Sequence, residues 1–169
     1  RRLCEIGCGD GRVLAHLAER LPGLERLVGI DVNASIIARN RIRYADQPRL
    51  AFECADALDG LPRHAEPRAI LFTYGGVLEY FAPGDVQRLF NAWSTPRAPS
   101  AVALVEPLAD DYDPDRETAS RAGGLESSFS HPYRRYLEAA GYRIAFEREV
   151  RIEHRWILLI AVRDAADHP

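Results

Sequence analysis

Leu3-Cys4-Glu5-Ile6-Gly7-Cys8-Gly9-Asp10-Gly11-Arg12 is the stretch whose reading decides the fold. A short apolar run (Leu3, Cys4, Ile6) meets glycine at every second position, Gly7, Gly9 and Gly11, and an amphipathic segment begins at Val13. Glycine at this density costs backbone entropy and is tolerated where a chain turns sharply or lets a ligand touch main chain. A strand entering a glycine loop and then a helix presents free N–H groups to a nucleotide-like ligand. A dinucleotide fingerprint, G-x-G-x-x-G, counted from Gly7 and Gly9 needs its third glycine where Arg12 stands. The pattern present is instead E-x-G-x-G-x-G, with Glu5 two residues ahead of the first glycine.

Downstream, strand and helix signals alternate. Val13, Leu14, Leu17 and Leu21 recur at helical spacing until Pro22-Gly23 stops them. Leu27 to Asp31 reads as a buried strand ending in an acid, about 20 residues past the glycine loop, where an α/β unit places a ribose-binding carboxylate. Asp31 also suits a helix-capping role, although Asn33 and Ser35 would cap equally well. A helix over 34–44 turns Ile36, Ile37 and Ile42 inward, and its Arg39, Arg41 and Arg43 read as a solvated face. Leu50 to Cys54 is a third strand, followed at once by Asp56 and Ala57. Arg68 to Tyr74 is a fourth, with Thr73 and Tyr74 at the carboxyl end, where doubly wound sheets bind ligands.

A helix over 85–93 is closed by the Pro-rich Thr95 to Pro99, and Ser100 to Pro107 is the fifth strand. Residues 108–130 then lose periodicity, gather Asp110, Asp111, Asp113, Asp115 and Glu117 before Gly123-Gly124, and read as either a lid insertion or a partly disordered stretch. Those acids lack the glycine and terminal Glu of a calcium loop, so no metal site is expected. His131-Pro132 opens a helix over 133–140, capped by His131 or Ser130. Two strands, 142–150 and 155–162, pair as a hairpin through Glu153-His154, and 164–169 forms a tail.

Composition narrows the function classes. The chain has 169 residues, 47% of them hydrophobic, and reads as one domain over 1–169 with no internal repeat. No apolar run approaches a membrane span, and no secretory leader is visible. The net charge is −3 and all 22 basic residues are Arg, which lacks the footprint of a nucleic-acid binder. Cys4, Cys8 and Cys54 form no C-x-x-C pair, which suits reduced thiols in a cytoplasmic setting. The chain has no Met and opens inside its first strand, from which a missing natural N-terminal segment is expected.

Glu5-Ile6-Gly7-Cys8-Gly9-Asp10-Gly11 resembles motif I of the class I S-adenosylmethionine-dependent methyltransferases at every fixed position. The resemblance covers nearly the whole chain. It implies an α/β fold with a doubly wound, mostly parallel seven-stranded sheet, order 3-2-1-4-5-7-6, the last strand antiparallel and helices on both faces. It also implies S-adenosyl-L-methionine as cofactor, S-adenosyl-L-homocysteine as product, and a small-molecule acceptor. By the same resemblance Glu5 serves the methionine end, and Gly7, Cys8 and Gly9 form the floor. Asp31, with Val32 and Asn33, holds the ribose, Asp56 and Ala57 meet the adenine, and Thr73 and Tyr74 complete the crevice. Two departures stand out. Ala69 and its neighbours offer no acid where many relatives begin the fourth strand with Asp, and no Asn-Pro-Pro-Tyr motif marks an enzyme acting on nucleobase amines.

Methyl transfer from a sulfonium asks mainly for alignment, and a general base only if the nucleophile arrives protonated. Tyr74 and then His131 are the first choices for that base, ahead of Glu79, Glu106, Tyr80, Tyr112 and Tyr133. Two other readings remain at this point: a non-catalytic binding module of the same fold, and a nicotinamide oxidoreductase, which Arg12 opposes.

Overall fold

The computed structural model describes residues 1–93, 99–123 and 128–164. The Pro-rich closure at 95–98, Gly124 within the expected lid, and tail residues 165–169 lie outside the described residues. The alternation read from the sequence is a β/α succession: β1 (Arg2–Ile6), α1 (Arg12–Arg20), β2 (Arg26–Asp31), α2 (Ala34–Arg43), β3 (Leu50–Cys54) and a short α3 (Ala57–Gly60). It continues through β4 (Ile70–Tyr74), α4 (Pro83–Trp93) and β5 (Ser100–Leu108). A small hairpin, β6 (Arg121–Gly123) and β7 (Ser128–Ser130), precedes α5 (Tyr133–Ala139), β8 (Arg143–Ile152) and β9 (His154–Arg163).

Seven strands form one sheet in the order β3-β2-β1-β4-β5-β9-β8. The first five are parallel, and β9 runs antiparallel to both β5 and β8. This is the expected order, β9 being the seventh strand of the sheet and β8 the sixth. The order reverses at β1 and β4, so their carboxyl ends flank the crevice of the doubly wound sheet.

Burial alternates along β5, with Val102, Leu104, Glu106 and Leu108 inside and the residues between them half-buried. One face packs Val102, Leu104, Ile157 and Leu159 against Val86, Phe90 and Trp93 of α4 and Leu137 of α5. The other packs Leu3, Leu27 and Phe52 against Leu14, Ala18 and Ile37 of α1 and α2. On that second face, further along the sheet, Phe146 and Ile160 stay 45% and 43% exposed.

Several boundaries differ from the sequence reading for physical reasons. Arg68 adopts φ 63°, a left-handed conformation no strand accommodates, so β4 starts at Ile70. Glu153, at φ 59°, alone joins β8 to β9, and each strand is longer than expected. Ile42 is 80% exposed rather than inward, leaving Ile37 as the buried isoleucine of α2. Within the expected lid, Leu108 finishes β5, and 121–123 pairs with 128–130. Neither His131 nor Ser130 caps α5, whose N-cap is Pro132 with no side-chain hydrogen bond. Among the described residues no helix is long and apolar enough to cross a membrane, and no group of three or more His, Cys, Asp or Glu is placed to hold a metal.

Candidate functional site at the glycine loop

All three loop glycines take positive φ: 66° at Gly7, 49° at Gly9 and 74° at Gly11. Two of them are also pressed from above. A Cβ on Gly7 would stand 2.6 Å from a Val77 methyl, and one on Gly11 would stand 2.8 Å from the Phe52 ring. At Gly9 nothing lies within 4 Å, so the middle of the loop faces open space. The loop is therefore clamped at both ends and bare in the centre, which suits close approach of a ligand to main chain.

Asp31 closes this centre. One carboxylate oxygen accepts from the Gly9 N–H at 3.0 Å, the other from the Asn33 N–H at 2.9 Å. An ionised carboxylate has about four lone-pair sites, so two backbone donors leave capacity for a pair of hydroxyls. Asn33, not Asp31, caps α2, its Oδ1 accepting from Ser35 and Ile36. The capping reading of Asp31 thus gives way. Val32 is 70% exposed beside it. Asp56 is exposed, caps α3 through the Leu58 N–H at 2.8 Å, and is tied to Asp31 by the neighbouring Ala55 N–H on the Asp31 carbonyl at 3.1 Å. Ala57 is buried at the first turn of α3.

Glu5 is the unusual member. It is 2% exposed, and its Oε2 has no hydrogen-bond partner. Burial, with a smaller push from Asp10, raises its pKa to about 8. Without a ligand this carboxyl holds its proton at neutral pH. A buried acid short of a partner at the foot of a nucleotide-type loop fits a ligand that brings an ammonium or a bridging water.

Two expected contacts sit elsewhere. The Cys8 side chain turns into the core beside Gly29 and Phe52, and its N–H bonds the Ile30 carbonyl at 3.1 Å. Burial, then the charges of Glu5 and Asp31, push its thiol pKa well up, which disfavours the thiolate a nucleophile needs. Thr73 is fully buried and faces Glu106 instead of the crevice. Its neighbour Tyr74 is 51% exposed at the end of β4, as expected.

The sequence reading weighed Glu106 only as a base. It is fully buried on β5, and one oxygen accepts the N–H groups of Val77 and Leu78, both at 3.0 Å. Burial raises its pKa to about 7 against these hydrogen bonds. Glu106 thereby seats the turn that presses Val77 on Gly7. The available signal in the sequence was the phase of Val102 and Leu104, which at a strand's period of two carries Glu106 inward with them.

His131 is no general base in this arrangement. It is fully buried, Nε2 donates to the Leu78 carbonyl at 3.0 Å, and Nδ1 pairs with the Ser120 hydroxyl at 2.7 Å. Burial lowers its pKa to about 4. It pins the segment after β5 to the same turn that Glu106 holds. Tyr112 and Tyr133 are 1% exposed and belong to the core. The arginine-rich face of α2 is partly engaged: Arg41 Nε donates to the Phe52 carbonyl at 3.0 Å, and Arg43 approaches Asp10 at 3.8 Å.

Residues 3–98 match the family model described as a methyltransferase domain. A curated relative, the trans-aconitate 2-methyltransferase of Methylobacterium radiotolerans, is 32% identical over 145 residues, covering 74% of this chain and 52% of the relative. The chain thus spans about half that relative's length. An O-methyltransferase family protein from Burkholderia thailandensis superposes with TM-score 0.67 at 19% identity, over 99% of this chain and 52% of that one. Magnesium protoporphyrin IX methyltransferase from Synechocystis, solved with bound S-adenosylmethionine, superposes with TM-score 0.64 at 14% identity, over 96% of this chain and 69% of that one. At these identities the structural likenesses speak for the fold.

Proposed function

This chain belongs to the methyltransferase domain family, and on that premise we propose that it binds S-adenosyl-L-methionine at the glycine loop and transfers the methyl group to a small molecule, leaving S-adenosyl-L-homocysteine. The observation carrying this reading is the pairing of two unlike carboxyls at one loop. Asp31 is fixed by backbone donors with acceptor capacity to spare, and Glu5 is buried with one oxygen unpartnered.

The bound cofactor supplies a methyl carbon on a sulfonium, already activated toward in-line displacement. The chain's part is binding and alignment, the principal source of rate in such a transfer. Asp31 receives the two ribose hydroxyls, as the vicinal pair matches one carboxylate. Gly7 and Gly9 bring main chain against the nucleoside, and Val77 sets the height of the floor. Asp56 and Ala57, after β3, take the adenine end. Glu5 gives up its proton to meet the cofactor's ammonium. Exposed Tyr74 borders the acceptor side, where an aromatic face attracts the cationic sulfur.

Calorimetric titration with S-adenosylmethionine and S-adenosylhomocysteine tests the reading directly. Saturable binding of both is expected, and absence of both overturns it. The curated relative's name makes trans-aconitate a first acceptor to assay. Binding of both nucleosides with no methyl transfer to any acceptor would favour the non-catalytic module instead.

A further inference from the structure

A cavity of about 600 Å³ opens at the carboxyl end of β5 and the amino end of β9, under the β6–β7 hairpin, and the 76–79 turn whose Val77 presses on Gly7 reaches it through Glu79. Pro107 and Leu108 of β5, Trp156 of β9, Phe129 of β7 and Glu79 line it. We propose that this cavity is the acceptor site, that it takes an uncharged planar ring carrying an O–H or N–H nucleophile, and that Glu79 accepts the nucleophile's proton. The proposal rests on the methyl-transfer reading and narrows it to a substrate class.

Size, shape and charge point the same way. The volume falls within the range of small-molecule pockets, roughly 300–1,000 Å³. Trp156 and Pro107 are directly paired across β5 and β9, so indole and pyrrolidine form one wall, with Phe129 contributing a further aromatic side. Such surfaces favour ring faces. Among the described residues no arginine lines the cavity, and its one basic ring is the His154 imidazole at the start of β9. Three arginines next to lining residues are committed elsewhere, Arg121 to Asp111 at 2.7 Å and Glu117 at 3.0 Å among them. Arg151 pairs with the rim acid Asp110 at 3.1 Å, and Arg155 holds Glu149 at 2.7 Å and the carbonyls of Ala109 and Tyr112. A polycarboxylate would enter without a free guanidinium to meet it, whereas a neutral ring gives up little hydration.

Glu79 is placed by the Gly75-Gly76 turn after β4. Its Oε1 lies over Gly76, where any Cβ would stand, and Gly76 takes φ 83°. One turn thus carries both Val77, the residue pressed on Gly7, and Glu79 on the cavity wall. In the transfer, the acceptor's lone pair forms the new bond to carbon and the carbon–sulfur pair stays on sulfur. The acceptor's proton passes to the Glu79 carboxylate and then to solvent.

Trp156 supplies a readout independent of turnover, because the only other tryptophan, Trp93, is 1% exposed with its Nε1 bonded to the Ala101 carbonyl at 3.1 Å. Titration with 4-hydroxybenzamide (the O–H arm), 4-aminobenzamide (the N–H arm) and citrate is followed by tryptophan emission. Saturable quenching by at least one benzamide, none by citrate, and loss of the signal in Trp156→Phe are expected. Glu79→Gln should keep the quench within about twofold while methylation of that benzamide with S-adenosylmethionine falls by about 100-fold or more. Quenching by citrate alone overturns the substrate class, and undiminished methylation in Glu79→Gln overturns the base. Cofactor binding without ring quenching defeats the cavity assignment and spares the methyl-transfer reading. Ring quenching without cofactor binding does the reverse.

Discussion

The two sides of the crevice are built differently. On the β1–β3 side every functional atom is local to a strand end: three glycines at positive φ, and Asp31 held by N–H groups at 3.0 and 2.9 Å. On the β4–β9 side the corresponding surface is assembled from afar. Glu106 of β5 reaches the 77–78 turn, and His131 reaches Leu78 across 53 residues of sequence. The first side also has α1 and α2 packed over its second face, while further along that face Phe146 and Ile160 remain partly exposed. Binding of a constant ligand suits a short, backbone-defined cradle. Selection of a variable acceptor suits a surface hung on long-range contacts, where one substitution re-aims a turn without disturbing the cradle.

Gly7→Ala is the hardest blow to this division, because Gly7 and Val77 join the two sides. Left-handed strain of about 1–2 kcal/mol plus overpacking of about 1–3 kcal/mol against Val77, 2.6 Å from the new Cβ, should reduce stability by roughly 3 kcal/mol. Gly9→Ala meets no neighbour and should cost only the strain, about 1–2 kcal/mol. Urea unfolding of both variants measures the gap, and equal losses would mean that Val77 does not clamp the loop.

Next comes Glu106. Glu106→Ala strands two N–H groups, of Val77 and Leu78, and should lower stability by about 2–3 kcal/mol. Glu106→Gln keeps an accepting oxygen and should recover most of it, as urea unfolding at one pH would show. Asp31→Ala should then weaken cofactor binding by about 1–3 kcal/mol in calorimetry, and it should lower stability less than Glu106→Ala, because the Gly9 and Asn33 N–H groups it releases are within reach of water. Unchanged affinity would contradict the ribose role.

The smallest effects are protonic. Glu5 and Glu106 have folded pKa values raised from 4.5 to about 8 and about 7. Their contribution is full below the unfolded value and declines as pH rises through the folded ones. His131 is lowered from 6.5 to about 4, so its contribution is full above 6.5 and is lost as pH falls toward 4. Between pH 4.5 and 6.5 the two carboxyls outweigh the one imidazole, so the stability of the ligand-free chain, followed by thermal melts, should decline as pH rises from about 5 toward 8. Cofactor binding at pH 7 should release up to about one proton as Glu5 ionises against the ammonium, read from calorimetry in buffers of different ionisation enthalpy. Glu5→Gln should abolish that release.

Legibility in the sequence follows the same line between the two sides. Spacing located the glycine loop and the acid ending β2, and the family resemblance added Asp56 after β3, because each belongs to a local pattern of strand, turn and cap. It placed Cys8 and Thr73 at the crevice, since backbone position was readable but side-chain direction was not; Cys8 points at Gly29 and Thr73 at Glu106. His131 looked like an available base at a helix start. Its burial depends on Ser120, Phe129 and Tyr133, which only the tertiary fold gathers around it. The β6–β7 pairing was hidden for a similar reason. Strands of three residues are too short to show a period.

Gly7, Gly9, Asp31 and Glu5 share one property on the proposed reading: each addresses a part of the donor that survives the reaction. Main chain, ribose and amino acid are the same before and after the methyl leaves, so this cradle grips spent and fresh nucleoside almost alike. On that reading the demethylated form competes with fresh donor for the same cradle, so its accumulation would slow turnover.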